Sequence, residues 1–295
     1  MNQRVPPTEE ADPATADLDA LRGEALVEVL VAAQARAAAA AAAAVPELGR
    51  AVETIAERLR AGGRLHYAGA GTSGRLGALD AAECPPTFGT SPELVVAHIA
   101  GGPGALVRAV EGAEDDGAAG ATEAAQNVAS ADAVVGISAS GSARYVVAFV
   151  EAARARGAAT FALTADPNSA LALAADNAIV IATGAEPLAG STRMVAGTAQ
   201  KIVLGALSTA IMVRLGKVHG NLMVDVTATN AKLRARAIRL VAQLAPCDSA
   251  RAAALLEASG GGVKVAVVMA RCDADAATAR TLLEREAGFL RPFLR

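Results

Sequence analysis

The sequence predicts an α/β protein, a three-layer α/β/α arrangement around a mostly parallel five-stranded sheet with N-terminal helices before it and a small C-terminal helical domain after it. Two observations carry this expectation. From Arg64 onward short apolar runs alternate with helical stretches, and Gly or Ser stands at the end of each run; that spacing requires crossover connections, and so parallel strands with helices on both faces. The chain is also 53% hydrophobic and 19% charged with seven aromatic residues, which excludes a disordered polypeptide and predicts a core built of Ala, Val, Leu and Ile.

The elements follow in order. A polar, Pro-containing leader reaches about residue 18, and residues 19–61, rich in Leu, Val and Ala with Glu and Arg interspersed, suit one long or two shorter helices. The Ala37–Ala44 run is extreme in helix propensity and implies close packing rather than chemistry. Strands are expected at Leu65–Ala68, Leu94–Ile99, Ala133–Ile137, Thr160–Leu163 and Ala178–Ile181. Helices are expected after Gly74, from Gly104 to Val110 and from Ala143 to Arg156. A long helix from Thr192 to Leu215 stops at Gly216, a common C-terminal signal. Lys217–Thr229 reads as a loop, and periodic apolar positions in 232–244, 249–258 and 273–286, with a break at Gly260–Gly262, predict a helical tail. The domain boundaries expected from this are 1–50, 51–216 and 217–295. In such a sheet, ligands sit at the carboxyl ends of the strands.

Composition also narrows the partners. A net charge of −3 with scattered basic residues argues against nucleic acid. Cys84, Cys247 and Cys272 form no Cys-x-x-Cys pair, and no His lies at ligand spacing, so neither a disulfide framework nor a zinc site is expected. The acidic leader has no apolar signal core, and the Ala32–Val45 stretch reads as too short and too weakly apolar to span a bilayer. The expectation is a cytoplasmic protein with no membrane partner.

Two loops carry chemistry. Tyr67-Ala-Gly-Ala-Gly-Thr-Ser-Gly-Arg-Leu-Gly77 leaves a strand and enters a helix. Its glycines let backbone N–H groups approach an anion, and the hydroxyls of Thr72 and Ser73 add donors. It lacks the Gly-Lys-[Ser/Thr] of a Walker loop, and although Gly69, Gly71 and Gly74 match G-x-G-x-x-G, no acidic residue follows at the ribose distance. The second loop, Gly136-Ile-Ser-Ala-Ser-Gly-Ser142, occupies the same kind of position. Gly71, Thr72 and Ser73, together with Ser138, Ser140, Gly141 and Ser142, are therefore the candidate phosphate ligands. A sugar phosphate suits them better than a nucleotide, because no aromatic platform is offered to a base.

The double Ser/Thr loop resembles the sugar isomerase (SIS) fold of phosphosugar-binding proteins. Longer runs resemble one family within it, the N-acetylmuramic acid 6-phosphate etherases: Gly69–Gly77, Asp80-Ala-Ala-Glu-Cys-Pro-Pro-Thr-Phe-Gly89, Val110-Glu-Gly-Ala-Glu-Asp-Asp116, Gly197-Thr-Ala-Gln-Lys201 and Gly216-Lys-Val-His-Gly-Asn-Leu-Met-Val-Asp225. The similarity extends over about residues 8–290. It implies cleavage of the C3 ether joining D-lactate to the sugar, giving N-acetylglucosamine 6-phosphate. Elimination needs a base for the C2 proton, acidified by the aldehyde of the opened ring, and an acid for the departing oxygen; two carboxyl groups suffice without metal or cofactor. The family's catalytic pair maps onto Glu83 as the acid and Glu114 as the base. Glu83 is expected at the far end of the helix that starts at the phosphate loop, with Pro85 and Pro86 stopping it. Glu114 lies in an acidic cluster with Glu111, Asp115 and Asp116, where like charges can raise a carboxyl pKa. Glu186 and Ser191 are expected at a second rim of sugar contacts, and His219 near the site; His66 and His98 read as packing residues. The resemblance further implies a homodimer in which the neighbour completes each site, with the Ala-rich helix and the Thr192–Leu215 helix as interface candidates.

The chain departs from the family in its second loop, which reads Ser138-Ala-Ser-Gly-Ser-Ala-Arg-Tyr145 where the family has Ser-x-Ser-Gly-Arg-Thr-Pro-Tyr. Val195 replaces a usual Lys, and Asp12 a usual Asn. An alternative therefore stands beside the lyase: a non-catalytic sugar-phosphate-binding regulator of the glucokinase-regulator type. Retention of both glutamates favours the enzyme.

Overall fold

Leu65–Gly69 (β1) is buried at every position, so it must be covered on both faces, and a computed structural model of the chain, describing residues 5–226 and 231–294, shows it inside a parallel sheet. The other strands are Val95–Ile99 (β2), Ala133–Ile137 (β3), Ala159–Thr164 (β4) and Asn177–Val180 (β5), in the order β2-β1-β3-β4-β5. All five fall where the apolar runs placed them. β1 pairs with β2 on one side and β3 on the other, with Gly69 level with both Ile99 and Ile137. The chain leaves β1 toward β2 and β3 toward β4, in opposite directions along the sheet, and the crevice between the carboxyl ends of β1 and β3 is where an open parallel sheet binds ligands.

The N-terminal segment forms three helices rather than one or two: Gly23–Ala33 (α1), Ala35–Ala43 (α2) and Val45–Arg60 (α3). At the break between α1 and α2, Gln34 accepts a hydrogen bond at 2.7 Å from Thr198 of the long helix Val195–Arg214 (α8). Asp12 of the leader caps its own turn and pairs with Arg36 at 3.1 Å. Gly23–Ala43 has a mean hydropathy of 1.5 over 21 residues and is long and apolar enough to cross a bilayer by length and composition, as is Val195–Arg214; the reading of Ala32–Val45 alone did not anticipate this. The second of these is largely buried within the protein.

Gly71–Phe88 (α4) follows β1 directly. It runs through Pro85 and Pro86, which were expected to end it. Both prolines sit in the last turn, where their fixed φ is helical and only two backbone bonds are forfeited, and Gly89 N–H closes the turn on Pro85 O at 2.9 Å. The helix expected at Gly104–Val110 is only a 3-10 turn, Pro103–Leu106. The helix between β2 and β3 is instead Gly117–Asn127 (α5), whose first turn is capped by Asp116 accepting from Ala119 N–H at 2.9 Å. Arg144–Ala155 (α6) matches the expected helix, and a short Ala170–Ala174 (α7) lies between β4 and β5.

Contacts divide the chain into two compact units, residues 1–81 with 93–208 and residues 82–92 with 209–295. The first holds the sheet. The second contains a two-stranded hairpin, Val218–His219 (β6) with Leu222–Met223 (β7), inside the segment read as a loop, of which residues 227–229 lie outside the described residues. It continues with Ala231–Leu244 (α9), Ser249–Ala258 (α10), Val263–Cys272 (α11) and Ala276–Arg285 (α12) around a cluster that includes Leu240, Val241, Leu256 and Val267. Lys264 ties this unit together: its ammonium reaches Asp225 at 2.8 Å, Gly288 O at 2.9 Å and Gly216 O at 3.2 Å. Burial lowers its pKa, and Asp225 works in the opposite direction.

Candidate active site

Register brings the two Ser/Thr loops together. The first leaves β1 at Gly69 and the second leaves β3 at Ile137, and those residues are partners in adjacent strands. Gly74 is forced at its position: a Cβ there would lie 2.6 Å from Ile99 Cγ1 and 2.8 Å from Gly69 O, so only glycine lets α4 start this close to the strand. The first amides of α4, from Gly71 to Ser73, have no acceptor within the helix and face the anion end of its dipole. In the second loop Gly141 has φ +67° and its missing Cβ makes room for Ser169. Its N–H donates to both the carbonyl and the hydroxyl of Ser138 at 3.1 Å. Ser140 and Ser142 hydroxyls meet at 2.7 Å, and Thr164 of β4 braces the loop through Ala139 O at 3.2 Å. The cradle is thus held by β4 and α7 as well as by its own turn.

Ser73 plays a different part from the one its sequence suggested. It is buried, and its hydroxyl donates to Gln200 Oε1 on α8 at 3.0 Å, which leaves its backbone amide as the donor it can offer an anion. Gln200 is buried too, and its amide nitrogen has no partner among the described residues. The sequence quoted Gln200 in a motif without giving it a task; only the fold shows that α8 abuts the cradle. On the same unit Tyr67 donates to Asp80 at 3.0 Å and Ser208 donates to the other oxygen of that carboxylate at 3.1 Å, fixing α4 between β1 and α8.

Glu114 stands in the 3-10 turn Ala113–Asp115, exposed, after Gly112 in the left-handed region at φ 73°. This turn lies on the segment leaving β2. A cleft of about 140 Å³ is lined by Gly71 and Arg75 of α4 on one side and by Ala109 to Glu114 on the other. The structure therefore joins the expected base to the start of the cradle, and adds Arg75, which sequence reasoning passed over as part of a glycine motif. Glu83 is exposed on α4, twelve residues beyond Gly71.

One expected site residue is engaged elsewhere. Glu186 is 0% exposed, and its oxygens accept from Val195 N–H at 2.8 Å and Ala196 N–H at 2.9 Å. Rather than touching sugar from a rim, it closes the N-terminus of α8. Val195 itself is fully buried, so the position where the family carries Lys points into the core. Ser191 remains half-buried in the turn before α8, where its N–H donates to Leu188 O. His219 is half-buried in β6, its pKa lowered by burial and by Arg291. Among the described residues, no group of three or more His, Cys, Asp or Glu side chains is placed to hold a metal ion.

Residues 47–154 match the glucokinase regulatory protein N-terminal SIS domain, and residues 113–210 match the SIS domain. A phosphoheptose isomerase structure from Francisella tularensis shares the fold, with a TM-score of 0.50 and 19% identity over 65% of this chain and 98% of that one. Over greater length the similarity is of another kind. An N-acetylmuramic acid 6-phosphate etherase of Gloeobacter violaceus is 50% identical over 98% of this chain and 97% of its own, and one of Symbiobacterium thermophilum is 58% identical over 76% and 75%. The regulatory-protein match ends at residue 154, whereas the first of these relatives runs through the helical unit as well. With half its residues identical over nearly its whole length to such a relative, the chain belongs to the N-acetylmuramic acid 6-phosphate etherase family.

Proposed function

We propose that this chain cleaves the D-lactyl ether of N-acetylmuramic acid 6-phosphate by elimination and rehydration, releasing D-lactate and N-acetylglucosamine 6-phosphate. The observation that carries the reading is one cleft holding both Gly71 of the anion cradle and Glu114. The α4 amides and the Ser138–Ser142 loop hold the 6-phosphate. With the ring open, Glu114 takes the C2 proton; the electron pair forms the C2–C3 double bond as the C3–O bond breaks, and Glu83 protonates the leaving lactate oxygen. Water then adds at C3, a proton returns to C2, and the ring closes. Atoms balance with water as the sole co-reactant, and general acid–base catalysis of this kind is worth roughly 10²–10⁴-fold per group.

The reading includes a homodimer. Val27 and Val31 of α1 are 58% and 65% exposed, an apolar stripe of the kind a second copy covers, and Ile202 of α8 is exposed as well. Glu83 is not among the described residues that line the cleft holding Gly71 and Glu114, which supports the view that it serves the cradle of a second copy. The regulator alternative is not favoured, since its similarity covers residues 47–154 and the etherase similarity nearly the whole chain.

Incubation with N-acetylmuramic acid 6-phosphate in heavy-oxygen water tests the reaction. Lactate release with the label at C3 of the product is expected; release with the label in lactate, or binding without release, would overturn it.

A further inference from the structure

We infer that Arg75 is the residue that recognises the lactyl carboxylate and so selects the ether substrate over other hexosamine 6-phosphates; this rests on the etherase reading above. The argument starts from charge. The substrate carries a second anion, the lactyl carboxylate, beyond its phosphate, and the cleft that holds Glu114 also holds Glu111. A carboxylate brought beside two glutamates needs a cation, and among the described residues Arg75 is the one cation lining this cleft. The remaining walls are small and largely apolar, including Ala100, Ala105, Ala109 and Val110, a surface suited to the methyl group of a lactyl ether.

Geometry adds to this. Arg75 is half-buried one turn beyond Gly71 on α4, so side chains and amides of the same helix can address the two anions of one ligand, the phosphate at the helix start and the carboxylate a turn later. Its Nε donates to Leu106 O at 3.2 Å. That bond fixes the guanidinium plane while leaving the two terminal nitrogens without a partner among the described residues, and such a fork matches the two oxygens of a carboxylate. The phosphate has its own donors in the α4 amides and the second loop. When the C3–O bond breaks, the carboxylate leaves with lactate, and the product retains nothing for Arg75 to hold. The residue then favours departure of the hydrolysed sugar over rebinding of it.

The test compares Arg75→Gln with the parent protein on three ligands: N-acetylmuramic acid 6-phosphate, its analogue with a neutral lactamide in place of the carboxylate, and N-acetylglucosamine 6-phosphate. Arg75→Gln keeps a donor for Leu106 O and removes the charge. It is expected to raise KM for the acid by about 10- to 100-fold, to leave the amide analogue and the product within about twofold, and so to abolish the preference for acid over amide. Equal weakening for all three ligands would show that Arg75 binds phosphate, and an unchanged acid-to-amide ratio would show that it binds neither; both outcomes overturn the assignment. Arg75→Lys, which keeps the charge without the fork, is expected between the two. If the parent protein releases no lactate, calorimetric binding of the acid and the amide still reads Arg75 directly, so failure of the reaction and failure of the residue are told apart.

Discussion

His66 Nδ1 lies 2.9 Å from His98 Nε2, two buried rings stacked 5.2 Å apart across the adjacent strands β1 and β2. The contact is one link in a chain: His66 Nε2 is 3.1 Å from Asp132, His98 Nδ1 is 2.8 Å from Glu123, and Tyr145 donates to Glu123 at 2.5 Å. It fastens β1, β2 and the start of β3 to α5 and α6. Three contacts join the two rings to each other and to two carboxylates.

His66 resists protonation. Burial, then the neighbouring His98, pushes the His66 pKa down to about 4. Glu123 is held below the usual carboxylate range by its hydrogen bond to His98. Burial pushes Asp132 up, and the Ala129 and Arg64 amides more than offset it, so it too is lowered. Below the unfolded histidine pKa of about 6.5 the unfolded chain takes up a proton that folded His66 does not, so stability falls with pH until about 4, by roughly 3 kcal/mol from this residue. The depressed carboxylates lose their contribution in the same direction as the pH falls through their folded values. Thermal melting is thus expected to drop steadily between pH 6.5 and 4, and a His66→Phe variant to flatten that limb; an equally steep limb in the variant would refute the account.

None of this network was visible in the chain, because its members are brought together from 22 to 66 residues apart. The strands were legible because short apolar runs alternate with helical stretches, and the runs of β1 and β3 end at Gly69 and Ser138, where the two candidate ligand loops begin. α5 was not, since its Gly-Ala-Ala-Gly-Ala-Thr-Glu-Ala-Ala-Gln-Asn sequence has no period of large apolar residues. It packs through smallness: Gly120 lies against the Tyr145 backbone, where a Cβ would collide. α11 was missed for the opposite reason, its Val-Lys-Val-Ala-Val-Val run alternating like a strand. At the site, the cradle followed from loop chemistry, whereas the burial of Glu186 and the place of Arg75 depended on where α8 and the β2 exit come to rest.

Glu186 separates a capping role from a sugar contact. Glu186→Ala leaves two buried amides of α8 without acceptors and is expected to destabilise the protein by roughly 3 kcal/mol. Glu186→Gln keeps one acceptor oxygen and should melt between the two, with KM unchanged. Denaturant unfolding and steady-state kinetics check both; a KM rise in a stably folded Glu186→Gln protein would return the residue to the rim.

Glu83 and Glu114 should each abolish lactate release when changed to Gln, with the fold intact. The proposed partition of the two between two chains predicts more. If each site takes Glu114 from one copy and Glu83 from its neighbour, unfolding and refolding an equal mixture of the two inactive variants creates heterodimers with one unaltered site apiece, and about a quarter of the parent activity returns. If both glutamates act within one copy, the mixture stays inactive. The assay reads lactate alone and needs no structural knowledge of the interface.

Ala143 offers a gain rather than a loss. It is the N-cap of α6, extended at φ −58° and ψ 109°, and makes no side-chain hydrogen bond to the helix. A threonine oxygen there can accept from an amide of the first turn, which is worth about 1 kcal/mol at such a position. Its proton remains free for the phosphate held between this loop and α4, the contact that the family's threonine implies and that this chain has given up. Ala143→Thr is therefore expected to raise the melting temperature by a few degrees and to lower KM for the phosphosugar several-fold, with kcat little changed, because the phosphate is bound equally before and during ether cleavage. A stabilised protein with unaltered KM would mean that the hydroxyl caps the helix without reaching the ligand, and that Ser140 and Ser142 already saturate that side of the cradle.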